Sequence, residues 1–162
     1  TDLLPHEIDF RDAVRSRSNE VYWVGSLGTH IYGNAKEVGP FALACAVEGH
    51  PFISKVNISN ALSREFIRAS YLSPTIVGTW QLAQGLIPCR VFKTISYGNY
   101  TITNSPAVAE VMEGRILCEQ DTFQMFYTAR ERKEKFDLVD AMKYVSDEHT
   151  YINRALNILR CI

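Results

Sequence analysis

A chain of 162 residues and 18.4 kDa can bury one core and is too short for two full domains. With 46% hydrophobic and 22% charged residues, 9 Gly and 6 Pro, its composition is that of an ordinary globular protein, which excludes disorder, collagen-like repeats and a coiled coil as the main architecture. Seventeen Lys and Arg against eighteen Asp and Glu leave a net charge of −1, so nothing draws the whole chain to nucleic acid or anionic lipid.

Residues 1–19 are polar, with Arg11, Arg15 and Arg17 spaced for a helix surface, and read as a lead-in or linker helix before a domain over 20–162. The opening Thr-Asp-Leu-Leu-Pro-His reads as if from mid-protein. Val-Tyr-Trp-Val-Gly at 21–25 is a buried strand ending in glycine, and a glycine-bearing loop runs on to Gly33. Asn34 is placed to cap a helix over 35–48, with Pro40 discordant in its first turns and Gly49 its stop. A second strand is expected at 52–56, a helix over 63–69 capped by Ser63, and a third apolar segment at 72–77, interrupted by Pro74 and ended by Gly78. A helix over 89–97 stops at Gly98, a strand follows at 100–103, and Ser105-Pro106 opens a helix over 107–112. A short strand at 116–118 precedes helices over 121–132 and 137–162, the last divided near His149. This alternation of strand and helix predicts an α/β fold: a doubly wound, Rossmann-like parallel sheet with helices on both faces.

Cys45, Cys89, Cys118 and Cys161 lie far apart with no CxxC pair, and read as free, mostly buried thiols in a reducing compartment. No metal site is expected. No apolar run approaches a membrane span and no signal-peptide pattern opens the chain, so a cytoplasmic protein without a transmembrane segment is expected. The sequons at Asn57 and Asn99 carry little weight.

Ligands of open α/β sheets sit at the carboxyl ends of the strands, which singles out three loops. In 25–33 the glycines permit close backbone approach to phosphate, although the spacing is neither GxGxxG nor a P-loop. In 80–90 the fork of Arg90 matches diphosphate oxygens. In 103–106 the side chains and first-turn amides are donors, or simply a helix cap. Among four scattered histidines, His30 in the glycine loop is the candidate base, with a structural role the plainer alternative. No complete hydrolytic or covalent catalytic set is visible.

Pro88-Cys89-Arg90-Val91-Phe92-Lys93-Thr94-Ile95-Ser96-Tyr97-Gly98, then Ile102-Thr103-Asn104-Ser105, resembles the "P-S-R-x-F-E-x-L-A-x-G" helix, strand and polar turn of the carboxy-terminal, donor-binding domain of GT-B glycosyltransferases. The opening strand and glycine loop at 21–33 resemble that family's first βα unit. His149, Tyr151 and Arg154 are similar to its closing "H-T-Y-x-x-R-A". The likeness spans about 20–160. It implies a nucleotide-diphosphate-sugar donor, with no other cofactor, and transfer of the sugar to a glycan or other acceptor. Gly25, Ser26, Gly28 and Thr29 would line the diphosphate, Arg90 would contact phosphate, Thr103, Asn104 and Ser105 would lie nearby, and the base would sit around 77–80. Lys93 stands where relatives carry the ribose-binding acid, and either faces phosphate or leaves ribose to another group such as Glu110. Arg90 and His30 are the expected catalytic residues, and a separate amino-terminal Rossmann domain the expected partner. The alternative is a non-catalytic nucleotide- or sugar-binding module. A flavodoxin-like or response-regulator-like domain fits less well, because no predicted strand ends in aspartate.

Overall fold

The computed structural model describes residues 3–160, so Cys161 lies outside the described residues. Just over half of these residues are helical. Strands β1 (Val21–Val24) and β2 (Phe52–Lys55) form one parallel pair, and β3 (Ile102–Thr103) and β4 (Leu117–Cys118) a second. The helices are α1 (Ala35–Val47), α2 (Asn60–Ala69), α3 (Thr79–Ala83), α4 (Arg90–Ser96), α5 (Pro106–Val111), α6 (Gln124–Arg132), α7 (Leu138–Glu148) and α8 (Tyr151–Arg160).

The doubly wound parallel sheet is not what forms. Two short parallel pairs stand in its place, joined through the segment 70–77. Ser73 and Thr75 donate their N–H groups to the Tyr100 and Ile102 carbonyls, at 3.0 and 2.9 Å. Toward β1 the Tyr71 N–H reaches the Glu20 carbonyl at 2.8 Å, and further along Pro74 has no N–H to give. At the start of the segment the Ser70 hydroxyl, instead of a backbone carbonyl, accepts the Tyr22 N–H at 2.7 Å. A proline and a side-chain substitute therefore interrupt the ladder between the pairs.

Two buried clusters flank this backbone. One gathers Trp23, Phe41, Phe126 and Met125 where α1 packs on α6; the other gathers Phe92, Ile95, Met112 and Met142 where α4 packs on α7. The first segment is not a helix. It makes two short 3-10 turns, Pro5–Glu7 and Phe10–Val14, and is pinned to the body. Leu3 is fully buried, Asp12 pairs with Arg68 at 2.5 Å, and Arg17 donates to the Arg68, Asp12 and Gly98 carbonyls. Helix α1 keeps Pro40 inside it, and Asn34 stands at its N-cap as expected, but its side chain makes no capping bond and donates from Nδ2 to the Ile76 carbonyl at 3.2 Å. Helix α2 starts earlier than expected, with Ser59 as its cap. Cys45 is buried, its thiol pushed up to about 12 by burial, whereas Cys89 and Cys118 are exposed, contrary to a mostly buried set. Asn99 is buried and donates to the Ile67 and Ser70 carbonyls, so the second sequon is closed in the folded chain.

The expected break falls at His149, between α7 and α8. Its ring stacks on Phe92 with centroids 4.6 Å apart and meets Tyr144 edge-on at 5.0 Å, while Nε2 is buried without a hydrogen-bond partner. Burial, and after it the nearby Arg154 charge, pulls this imidazole below its ordinary range. Helix α8 buries none of its residues and leaves Tyr151, Ile152, Leu156, Ile158 and Leu159 exposed. No helix among the described residues is long and apolar enough to cross a membrane.

Candidate functional site

Strand β1 alternates, burying Val21 and Trp23, and ends at Gly25, whose φ of +124° is open to glycine at little cost. There the chain meets α4. The Arg90 guanidinium lies over the Trp23 ring, 3.7 Å from its centroid, and a Cβ added to Gly25 would come within 2.7 Å of Arg90 Nη2. Stacking on a buried indole takes one face of the guanidinium out of water. Arg90 has no carboxylate within ion-pair distance among the described residues. Burial draws its pKa down to about 10, which leaves it charged at neutral pH. A partly desolvated cation without a counter-ion is a costly arrangement unless an anion visits it.

Arg90 opens into a cavity of about 280 Å³ lined also by Gly25, Ser26, Asn60, Ser63, Cys89, Lys93 and Tyr97, among others. Of the residues singled out from sequence, the fold thus brings Gly25 and Ser26 to Arg90. Gly28, Thr29 and His30 face a second cavity of about 310 Å³, together with Lys36, Glu37 and Thr79.

Thr103, Asn104 and Ser105 line neither cavity and are buried. Thr103 Oγ1 accepts the Ser105 N–H at 3.1 Å, and Ser105 Oγ caps α5 by accepting from Val108. Asn104 accepts the Val77 N–H with Oδ1 and donates from Nδ2 to the Val77 carbonyl, both at 2.8 Å. Glu110 is exposed on α5 and lines neither cavity. The loop expected to read the base is likewise engaged internally: Gly78 N–H goes to Gln81 and Thr79 N–H to Glu37. His30 Nδ1 accepts the Tyr32 N–H at 3.2 Å, so the neutral ring carries its proton on Nε2 and offers a donor instead of a base there. Among the described residues no group of three His, Cys, Asp or Glu is placed to hold a metal ion.

Compared with known proteins, the chain matches no family model, no curated protein and no solved structure.

Sequence reasoning missed Trp23 as the plate beneath Arg90, and Asn60, Ser63 and Tyr97 in its cavity. The one available signal was an aromatic two residues before the strand-ending glycine.

Proposed function

We propose that this chain binds the diphosphate of a nucleotide-sugar donor in the Arg90 cavity, as the donor-binding part of a cytoplasmic glycosyltransferase that moves the sugar to a glycan or other acceptor. The observation that carries this reading is the Arg90 guanidinium, stacked on Trp23 beside the glycine at the end of β1 and left without a carboxylate partner among the described residues. Arg90 would hold the diphosphate as it leaves, a role that a fixed charge in a partly dry site performs without reorganising. The function is carried by this cavity and not by the fold. A companion domain supplies the acceptor, a partner supported by the uncovered apolar face of α8.

Titration calorimetry with UDP, GDP, ADP, CDP and dTDP tests the reading. At least one diphosphate is expected to bind, and Arg90→Ala to weaken it by about 1.5–3 kcal/mol, the range for a hydrogen-bonded charge. Absence of binding by the folded chain, or an unchanged affinity in the variant, counts against it.

A second reading, a nucleotide- or sugar-binding module without catalysis, is favoured by one observation. The Arg90 cavity is lined by no Asp, Glu or His that could move a proton. Turnover of a bound nucleotide sugar, with a companion domain restored, separates the two.

A further inference from the structure

Three cysteines fall within the described residues, and their settings differ. Cys45 is buried, and burial pushes its thiol up to about 12. Cys118 is exposed, yet desolvation and then the Glu119 charge push its thiol up as well. Cys89 is exposed and lines the Arg90 cavity, where the charged lining side chains are Arg90 and Lys93 and no Asp or Glu takes part. It stands just before α4, and its side chain caps no N–H of that helix. A thiol attacks as its thiolate, so a cationic and accessible setting favours reaction, whereas burial or a neighbouring carboxylate opposes it. Access and local charge single out Cys89.

What reaches Cys89 is set by Arg90. The guanidinium lines the same cavity, lies on the Trp23 ring and has neither a hydrogen-bond partner nor a carboxylate among the described residues. Burial deep enough to bring its pKa to about 10 leaves a charge with little water around it. Such a cation gathers an anion from solution, and the thiol of the preceding residue meets what it gathers. The wall opposite is fixed. Trp23 Nε1 donates to the Ser26 carbonyl at 3.4 Å, so the plate beneath Arg90 also ties the loop that follows Gly25. Further along, that loop is stacked main chain on main chain: a Cβ on Gly33 would overlap the Gly28 carbonyl oxygen, and one on Gly78 that of Gly33. Beside the stack Tyr32 and Trp80 meet edge-to-face, with centroids 4.9 Å apart.

We propose that Cys89 is a site of reversible S-thiolation, taking one half of an anionic small-molecule disulfide of the oxidised-glutathione class, whose carboxylates Arg90 attracts. The Cys89 thiolate attacks one sulfur of the disulfide. The old S–S bond breaks as the new one forms, and the other half leaves as a thiolate that takes up the proton Cys89 gave up. No electron is gained or lost overall, and excess free thiol reverses the step. The mixed disulfide occupies the cavity and shuts other anions out of it. The proposal shares the Arg90 charge with the diphosphate reading but needs no nucleotide to bind.

Peptide mapping by mass spectrometry, on the full folded chain treated briefly with oxidised glutathione, reads each cysteine separately. Cys89 should be modified at least about tenfold faster than Cys118, and Cys45 not at all. Cationic cystamine and neutral hydroxyethyl disulfide isolate the part played by charge. At Cys89 the rate relative to the neutral reagent should be highest for glutathione and lowest for cystamine. That ratio should fall at least about threefold in Arg90→Ala, and also in the unaltered chain at high salt, which needs no variant to fold. Cys118 modified as fast as Cys89, cystamine preferred over glutathione, or a ratio indifferent to both salt and Arg90→Ala overturns the proposal. UDP titration of the same samples keeps the two readings apart. Glutathione on Cys89 of a chain that binds no diphosphate sinks the diphosphate reading alone, and UDP binding by a chain whose Cys89 stays unmodified sinks this proposal alone.

Discussion

Asn104 shows how one side chain settles between a ligand role and a structural one. Next to a strand end, an asparagine in a polar turn reads equally well as a phosphate donor or as a turn residue. Here both ends of its amide close on Val77, in a place where water does not reach. Asn104→Ala would leave a buried N–H and a buried carbonyl unpaired, so a loss of about 2–4 kcal/mol in urea unfolding is expected. A phosphate ligand would behave oppositely, with stability held and diphosphate affinity lost. Arg90 is the reverse case, its charge without a carboxylate partner among the described residues. Its loss should therefore show in binding far more than in folding.

Helices were the legible elements, because apolar residues three and four apart, a capping serine and a stopping glycine act within one stretch of chain. Gly49 and Gly98, both read as stops, do take the left-handed conformation, at φ +77° and +69°. The sheet was less legible, since its continuity depended on whether 72–77 could bond on both sides, and Pro74 decided that. The meeting of Gly25 with Arg90 was expected from the resemblance that placed both at one diphosphate, although Arg90 opens α4 after a helix-to-helix loop and not after a strand. The meeting of Tyr32 with Trp80 could not be anticipated, because the two rings come from segments far apart in sequence that no local pattern links. The joint between α7 and α8 adds a pH dependence. Folding holds His149 below its ordinary pKa of 6.5, so the neutral ring is the folded form. The stability it supports is complete above that value and is lost as pH falls through it, since the unfolded chain then binds the proton more readily. Thermal unfolding at pH 5, 6 and 7 should show the drop, and His149→Phe, which can keep the stack on Phe92, should narrow it. An equal drop in the variant would assign it to other groups.

For the whole molecule, the uneven covering of its apolar surface is the telling property. Two clusters take up the large core side chains, while α8 holds a row of leucine, isoleucine and tyrosine in solvent. A helix that buries nothing contributes little to the stability of the body. Leu156→Lys with Leu159→Lys should accordingly shift unfolding by less than about 1 kcal/mol, while abolishing association with a companion domain in a pull-down from the paired proteins. A large loss of stability would mean that α8 belongs to this core after all.

The three touching glycines also constrain how such a protein can change over generations. Gly28, Gly33 and Gly78 act as one position spread over fifty residues: a side chain at any of them forces apart the same main-chain stack. The damage from a first replacement should therefore include most of the damage from a second, a non-additivity that a double-mutant cycle reads directly. Drift at the three sites is then all or none, and descendants that abandon one glycine are released to abandon the rest.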